Sequence, residues 1–563
     1  MKQRRCTTGF LLVALLAVVV LVRLPVTSAQ APAPLGMVSS AHPVATEAGL
    51  EILRAGGNAF DAAVAIAATL NVVEPMMSGI GGYGTIMVYD AKSKRARFLN
   101  CSGRIPKSLD SDVFRAPAPN WRENRTGAKA VSTPGNLNCL EAMSKEYGAL
   151  PWKRLFDPAI RAAEGHTLNA NVARAIAAAF KEFPPHTQAF YGKNGQPLAD
   201  GDQLVQKDLA ASFRKIAQHG AKVLHGGELG AAIDRAMREQ GSFLTLADLR
   251  DNKAEWWEPI RINYRGHQVV TSSPPANSFD MLVRLGMMSR LDAAKLGHNS
   301  ADYLHWFAEI TKHGFWVRLR HASDPDVAPV PLAELFSEKY WTARIAEIDA
   351  QRAKPFVPPG ANRAAATSHS DSELALQSHT THFVVADKWG NVVSATQTLG
   401  NLFGSRLMAP GTGIWLNNSL AYSTFEPKGN PMDAFPGRHK LSGDCPTLIF
   451  RDGRVWAALG TPGGHTIGQT VPQIVMNLID FKMDMTQAIA APRISFNEPD
   501  DLLVENAIPA AVFDALAARG HRTRRAQALG NATGLTIEYD AQGKPARFHG
   551  AADPRGAGTA KSN

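Results

Sequence analysis

The sequence predicts an α/β protein, a four-layer αββα sandwich, on three observations. Up to about residue 350, apolar residues recur mostly at the three- and four-residue spacing of helices, with short strands interleaved. From Thr380 onward the order changes to strands first and helices after, so that helices flank stacked antiparallel strands. No Gly/Ser-rich or Pro-rich linker divides the chain, and its 563 residues read as one large body rather than a string of domains.

Taken in order, residues 1–29 read as a secretory signal peptide: Lys2, Arg4 and Arg5 precede an apolar run from Phe10 to Val22, and small residues follow at Val26-Thr27-Ser28-Ala29. The run is short and Arg23 interrupts it, so no stable membrane span is expected once the signal is removed, and a periplasmic or secreted location follows. Helical spacing then covers Ala45 to Ala55, Asp61 to Leu70, Pro158 to Glu164, Val172 to Phe183, Ala231 to Glu239 and Ser300 to Phe315, with strands at Gly84 to Tyr89 and Gln268 to Thr271. Lys354 to Ser378 is polar, proline-bearing and without a sustained apolar period, which predicts an exposed, mobile segment. Beyond it, strands are expected at Thr447 to Arg451 and Arg454 to Leu459, and helices at Gln473 to Phe481 and Pro509 to Arg519.

Several function classes lose support. Without the four basic residues of 1–29, the formal charge of +10 becomes +6, spread along the chain with no dense Lys/Arg run, so no nucleic-acid partner is expected. Gly79-Ile80-Gly81-Gly82-Tyr83-Gly84 fits a dinucleotide fingerprint, but it leads into a strand-like run instead of the helix that a pyrophosphate needs. His305, His313 and His321 share a helical spacing without carboxylate support, and no metal or cofactor is expected. Of the cysteines beyond the signal, Cys101 and Cys139 read equally as a disulfide or as two buried thiols, and Cys445 is left over.

The chemistry concentrates in Gln377–Thr398. Alternation after Thr380, a break at Lys388-Trp389-Gly390-Asn391 and renewed alternation to Thr398 predict a hairpin whose return brings Thr380 and Thr398 together. Strand propensity alone accounts for threonines there. The position supplies a second account. A threonine hydroxyl needs a base to act as a nucleophile, and if the His379–Thr380 bond were cut, the freed α-amino group, with an ordinary pKa of roughly 7.7–8.0, would stand beside its own hydroxyl. Gly463 and Gly464, following a strand, offer unshielded backbone N–H groups for an oxyanion.

These residues resemble the γ-glutamyltransferases (glutathione hydrolases) of the N-terminal nucleophile hydrolase superfamily. The likeness runs through "SAHPVATEAGLEILRAGGNAFDAAVA" (40–65), "EPMMSGIGGYG" (74–84), "STPGN" (132–136), "LPWKRLFDPAIRAAEGH" (150–166), "TTHFVVADKWGNVVSATQT" (380–398), "GTGIWLNN" (411–418), "GTPGGHTI" (460–467) and "GAADPR" (550–555). The resemblance implies a four-layer sandwich of that superfamily's type and a proenzyme cut at His379–Thr380 into a large subunit, 30–379, and a small one, 380–563, which stay together as a heterodimer. It implies Thr380 as nucleophile, Thr398 as its hydrogen-bonding partner and Gly463 and Gly464 as the oxyanion loop. The substrate would be a small-molecule amide or γ-glutamyl compound, with water or an amine as acceptor.

Departures from the pattern fall on the residues that would hold the α-amino and α-carboxylate groups of a γ-glutamyl substrate. The asparagine position reads Gly400, with Asn401 next; the glutamine and aspartate positions read Ser419 and Tyr422; the serine pair reads Ser442-Gly443; the arginine position reads Ser102, with Arg104 two residues on. Arg104, Asn401, Ser419, Tyr422 and Ser442 are therefore the substrate-binding candidates. None of those facing the ammonium is anionic, and each lost charged contact costs of order 2–5 kcal/mol. "NVVSATQT" and "PGTG" also look like the cephalosporin acylase branch, and the stretch Phe425 to Lys440, where the family carries a lid, is short. The alternative reading is an acylase with glutaryl specificity and an open acyl pocket, for which a glutaryl-to-γ-glutamyl ratio near or above unity is expected; a catalytically inactive binding protein is the third reading.

Overall fold

Two antiparallel sheets organise the computed structural model, which describes residues 35–115, 123–359 and 378–562. The expected signal peptide at 1–29 and most of the polar segment before Ser378 lie outside the described residues. The larger sheet has seven strands, in the order Thr559–Ser562, Gly36–Ser40, Ser378–Asp387, Val392–Asn401, Tyr83–Asp90, Arg95–Cys101 and Glu255–Trp257. The second has six: Pro545–Ala552, Thr533–Tyr539, Arg454–Gly460, Thr447–Arg451, His267–Thr271 and Ile260–Tyr264.

Side chains alternate across a strand, and the apolar clusters divide accordingly. From Ser378–Asp387, Phe383 and Val385 pack with the helices Pro43–Arg54 and Ala59–Val73. Val384 and Ala386, pointing the other way, meet Leu448, Val455 and Ala458 of the six-stranded sheet. On that sheet's far side, Val269, Ile449 and Ala457 pack against the helices Phe279–Met288, Ala301–His321 and Ile467–Ile479. Ala59–Val73 is buried at every residue, which its alanines permit, and Asn58 with Asp61 closes its first turn in a reciprocal capping box.

Most elements lie within a few residues of their expected positions, and the differences have local causes. The helix expected at Val172 to Phe183 is α-helical over Ala170–Ala179 and tightens to a 3₁₀ turn at Phe180–Glu182. The helix expected from Gln473 begins at Ile467 and carries Pro472 inside it. A proline there leaves the Gly468 carbonyl without its helical donor. The buried Arg284 guanidinium donates to that carbonyl instead, Nη1 to O at 3.1 Å.

The open cysteine question resolves as a bond: Cys101 and Cys139 form a disulfide, and Cys445 is a buried free thiol. The Gly79–Gly84 run enters the strand Tyr83–Asp90. His305 bonds His521 and the Asp349 carbonyl, and His313 bonds the Tyr340 hydroxyl. Among the described residues, no helix is long and apolar enough to cross a membrane.

Candidate active site

The strands Ser378–Asp387 and Val392–Asn401 pair with Thr380 directly opposite Thr398, and the register shifts between His379 and Thr380, where His379 faces Gly400. Leu399 is thus the extra residue of a bulge. Its amide turns away to the Met77 carbonyl at 3.0 Å, while Gly400 takes a φ of +106° that favours glycine. The Gly400 N–H then reaches back to Thr398 Oγ1 at 2.8 Å.

Hydrogen-bond directions in this corner follow from the groups present. Thr398 Oγ1 lies 2.8 Å from the His379 carbonyl oxygen, which can only accept, so the single Thr398 proton goes there. The 3.1 Å bond between the two threonine hydroxyls must therefore be donated by Thr380. Both side chains are buried, at 4 % and 3 % exposure. The result is a chain in which Thr380 O–H points at Thr398 and Thr398 O–H points at the carbonyl of the His379–Thr380 bond. Among the described residues, no basic side chain hydrogen-bonds the Thr380 hydroxyl.

Neighbouring groups pin the strand. Thr381 Oγ1 donates to Glu74 Oε2 at 3.1 Å; burial raises the Glu74 carboxyl to about 7, and the threonine bond opposes that rise. His382 bonds Thr396 at 2.8 Å and is held neutral by burial, its pKa near 3. The ring packs so closely on Gly460 that a Cβ there would fall 2.3 Å from it. His382 thereby ties the threonine strand to the strand that leads into Gly463 and Gly464.

Those glycines take φ values of +137° and +56° in succession, a conformation that favours glycine, and open the 3₁₀ turn Gly464–Thr466, which packs on the threonine strand. Among the described residues, neither amide N–H donates a hydrogen bond. Thr466 instead braces the loop through the Gly463 carbonyl, by its amide at 3.0 Å and its hydroxyl at 2.9 Å. A Cβ on Gly443 would lie 2.9 Å from the Gly464 carbonyl oxygen, so the Ser442-Gly443 segment runs directly beside the loop.

The other expected site residues divide. A Cβ on Gly400 would meet Asn418 Oδ1 at 2.1 Å and the Tyr422 ring at 3.6 Å, which places both beside Gly400, the strand partner of His379. Asn401 donates its amide to Asn418 Oδ1 at 2.9 Å. Ser442 is buried between the Gly464 loop and the Pro275–Asn277 turn. Ser419 is turned to the hydroxyl of Ser132. Arg104 is ion-paired with Glu255 at 2.6 Å and bonds the Gly437 carbonyl at 3.0 Å. Sequence reasoning passed over Glu74, His382, Lys440 and Asp444; two opposite charges flanking the serine position in "KLSGD" were the available signal for the last two.

Comparison with known proteins finds relatives whose names describe them as proenzymes. It is 34% identical to the glutathione hydrolase proenzyme of Bacillus subtilis (strain 168), over 90% of this chain and 88% of that one. It is 37% identical to the acylase ACY 1 proenzyme of Pseudomonas sp. (strain V22), over 87% of each. The cephalosporin acylase from Bacillus halodurans superposes with a TM-score of 0.85 at 28% identity, covering 94% of this chain and 96% of that one. The family model described as gamma-glutamyltranspeptidase matches residues 45–562, and the chain belongs to that family of enzymes.

Proposed function

We propose that the protein is a self-processing, glutathione hydrolase-like enzyme that carries acyl groups on Thr380. The observation that bears most weight is the hydroxyl chain Thr380 to Thr398 to the His379 carbonyl. In the first event, Thr380 Oγ adds to the His379 carbonyl carbon, and the Thr398 hydroxyl stabilises the oxygen as it becomes negative. The C–N bond breaks, the hydroxyl proton passes to the leaving nitrogen, and an ester joins His379 to Thr380 Oγ. Water cleaves that ester and leaves a large subunit ending at His379 and a small one starting at Thr380.

The freed α-amino group is then the base that the Thr380 hydroxyl lacks among its side-chain neighbours. In turnover it takes the hydroxyl proton as Oγ attacks a substrate amide, with the Gly463 and Gly464 amides assigned to the oxyanion. The amine leaves, and water or a second amine takes the acyl group from the ester. The apolar clusters on both faces of each sheet favour the four-layer αββα arrangement of the N-terminal nucleophile hydrolases. The basic and apolar order of residues 1–29 favours export to the periplasm or beyond. A second reading, an acylase for glutaryl amides, draws on the 37% identity with the acylase proenzyme and on Gly400, Ser419 and Tyr422.

The test is terminal sequencing of the purified protein together with γ-glutamyl anilide hydrolysis. The expected result is a small chain beginning at Thr380, with Thr380→Ala uncut and inactive. A wild-type chain that stays whole while hydrolysing the anilide would overturn the mechanism.

A further inference from the structure

Two opposite charges, absent from the expected binding set, are buried beside this site. Lys440 is 1 % exposed and Asp444 is 2 % exposed. They flank Ser442-Gly443, the segment against the Gly464 carbonyl. Lys440 Nζ lies 5.6 Å from the centre of the Tyr422 ring, and that ring in turn abuts Gly400 and stands edge-on to His465 at 5.9 Å. Tyr83, the strand partner of Thr398, is within electrostatic reach of both Tyr422 and Asp444. Lys440 and Asp444 thus sit around the same few residues that join the threonine pair to the glycine loop.

Neither charge makes a direct ion pair among the described residues. Among the described residues, Lys440 Nζ has one acceptor, the Leu441 carbonyl at 2.8 Å. Among the described residues, no hydrogen bond reaches the buried Asp444 Oδ2. The two feel each other's charge but form no direct ion pair. Burial pulls the Lys440 ammonium down to about 7, against the pull of Asp444. It pushes the Asp444 carboxyl up to about 7, against the Ser442 hydroxyl and Lys440. His465 does not compete for an anion, because burial and the charges of Arg318 and Lys440 hold it neutral. A buried charge of this kind is costly until an opposite charge meets it. Arg104, the cation expected to take the carboxylate, is already committed to Glu255.

We propose that Lys440 and Asp444 are the specificity residues of the acyl pocket, the Lys440 ammonium meeting the carboxylate and the Asp444 carboxylate meeting the ammonium of an acyl chain that ends in an α-amino acid. The inference rests on Thr380 being the nucleophile. It reverses the preference expected from the substituted positions alone, because a carboxylate absent from those positions is supplied by Asp444.

The experiment compares three anilides: γ-glutamyl, which carries both charges, glutaryl, which lacks the ammonium, and 4-aminobutyryl, which lacks the carboxylate. Wild-type enzyme should show kcat/KM for the γ-glutamyl anilide at least about tenfold above either analogue. Lys440→Met should lower the γ-glutamyl and glutaryl rates about thirtyfold and spare 4-aminobutyryl. Asp444→Asn should lower γ-glutamyl and 4-aminobutyryl by a similar factor and spare glutaryl. Lys440→Arg and Asp444→Glu keep the charges, and should retain the pattern of preference if the others fail to fold. Equal wild-type rates on all three substrates, or losses in the variants that ignore substrate charge, would overturn the assignment. Failure of the underlying reading looks different: wild type would turn over none of the three, and no chain would begin at Thr380.

Discussion

Thr398 is the residue on which the two halves of the proposed chemistry meet, since its one oxygen accepts from Thr380 and from the Gly400 amide while its proton rests on the His379 carbonyl. Thr398→Val keeps the branched shape and removes all three bonds. Loss of one donor to a developing oxyanion slows a reaction by about 10²–10³-fold. The variant should accumulate as uncut precursor, with splitting slowed by about that factor when followed by denaturing electrophoresis. Splitting at the wild-type rate would reduce Thr398 to a strand threonine. The threonine pair was legible because strand alternation fixes which residues face each other. Lys440 and Asp444 were visible only as two opposite charges around a serine; that they are buried depends on segments far away in sequence, here Gly464 and Tyr422, whose approach no local pattern encodes.

Among the elements, the segment Gly437–Lys440 lies alongside Gly103–Arg104 and is fixed there by a buried imidazole. His439 Nδ1 bonds Asp324 and Nε2 bonds Glu255, both at 3.1 Å, and Glu255 also holds Arg104. The Trp257 ring meets the imidazole edge-on at 5.2 Å. Burial acts to lower the His439 pKa, but the two carboxylates outweigh it and raise it to about 9. His439 in turn leads the groups that pull Glu255 down to about 2, against the effect of burial. A folded pKa above the ordinary 6.5 means that His439 contributes its full stability below about pH 6.5 and loses it as pH rises through about 9. Glu255 has the opposite sign: its contribution is present above about 4.5 and disappears as pH falls through about 2. His439→Gln should therefore lower Tm at pH 6 and approach the wild-type Tm near pH 10. A gap in Tm independent of pH would show that His439 acts by packing alone. No local pattern signals this tie, since its members come from four separate stretches. The helix start at Ile467 was hidden for a related reason: Pro472 signals a boundary locally, and the Arg284 that removes the penalty lies nearly 190 positions upstream.

At the scale of the whole molecule, the proposed cut at His379–Thr380 falls inside a sheet whose strands are drawn from both sides of it. Ser378–Asp387 is paired on one side with Gly36–Ser40, from before the cut, and Val392–Asn401 on the other flank is paired with Tyr83–Asp90, again from before it. Thr559–Ser562, near the far terminus, adds to the outer edge of Gly36–Ser40. One apolar cluster likewise mixes Ile66, Ile86 and Leu99 with Phe383, Val385 and Val393. Parting the two chains would expose that cluster and strip both ladders of their partners, whereas breaking one peptide bond at a strand end removes neither. Backbone groups unpaired and apolar area returned to water both weigh against separation. The cut protein should therefore elute from a sizing column as one particle containing both chains, and the chains should part only in denaturant. Recovery of a folded chain from either side of the cut under native conditions would contradict this, and would mean that the interleaved strands contribute less than the helices packed on one side alone.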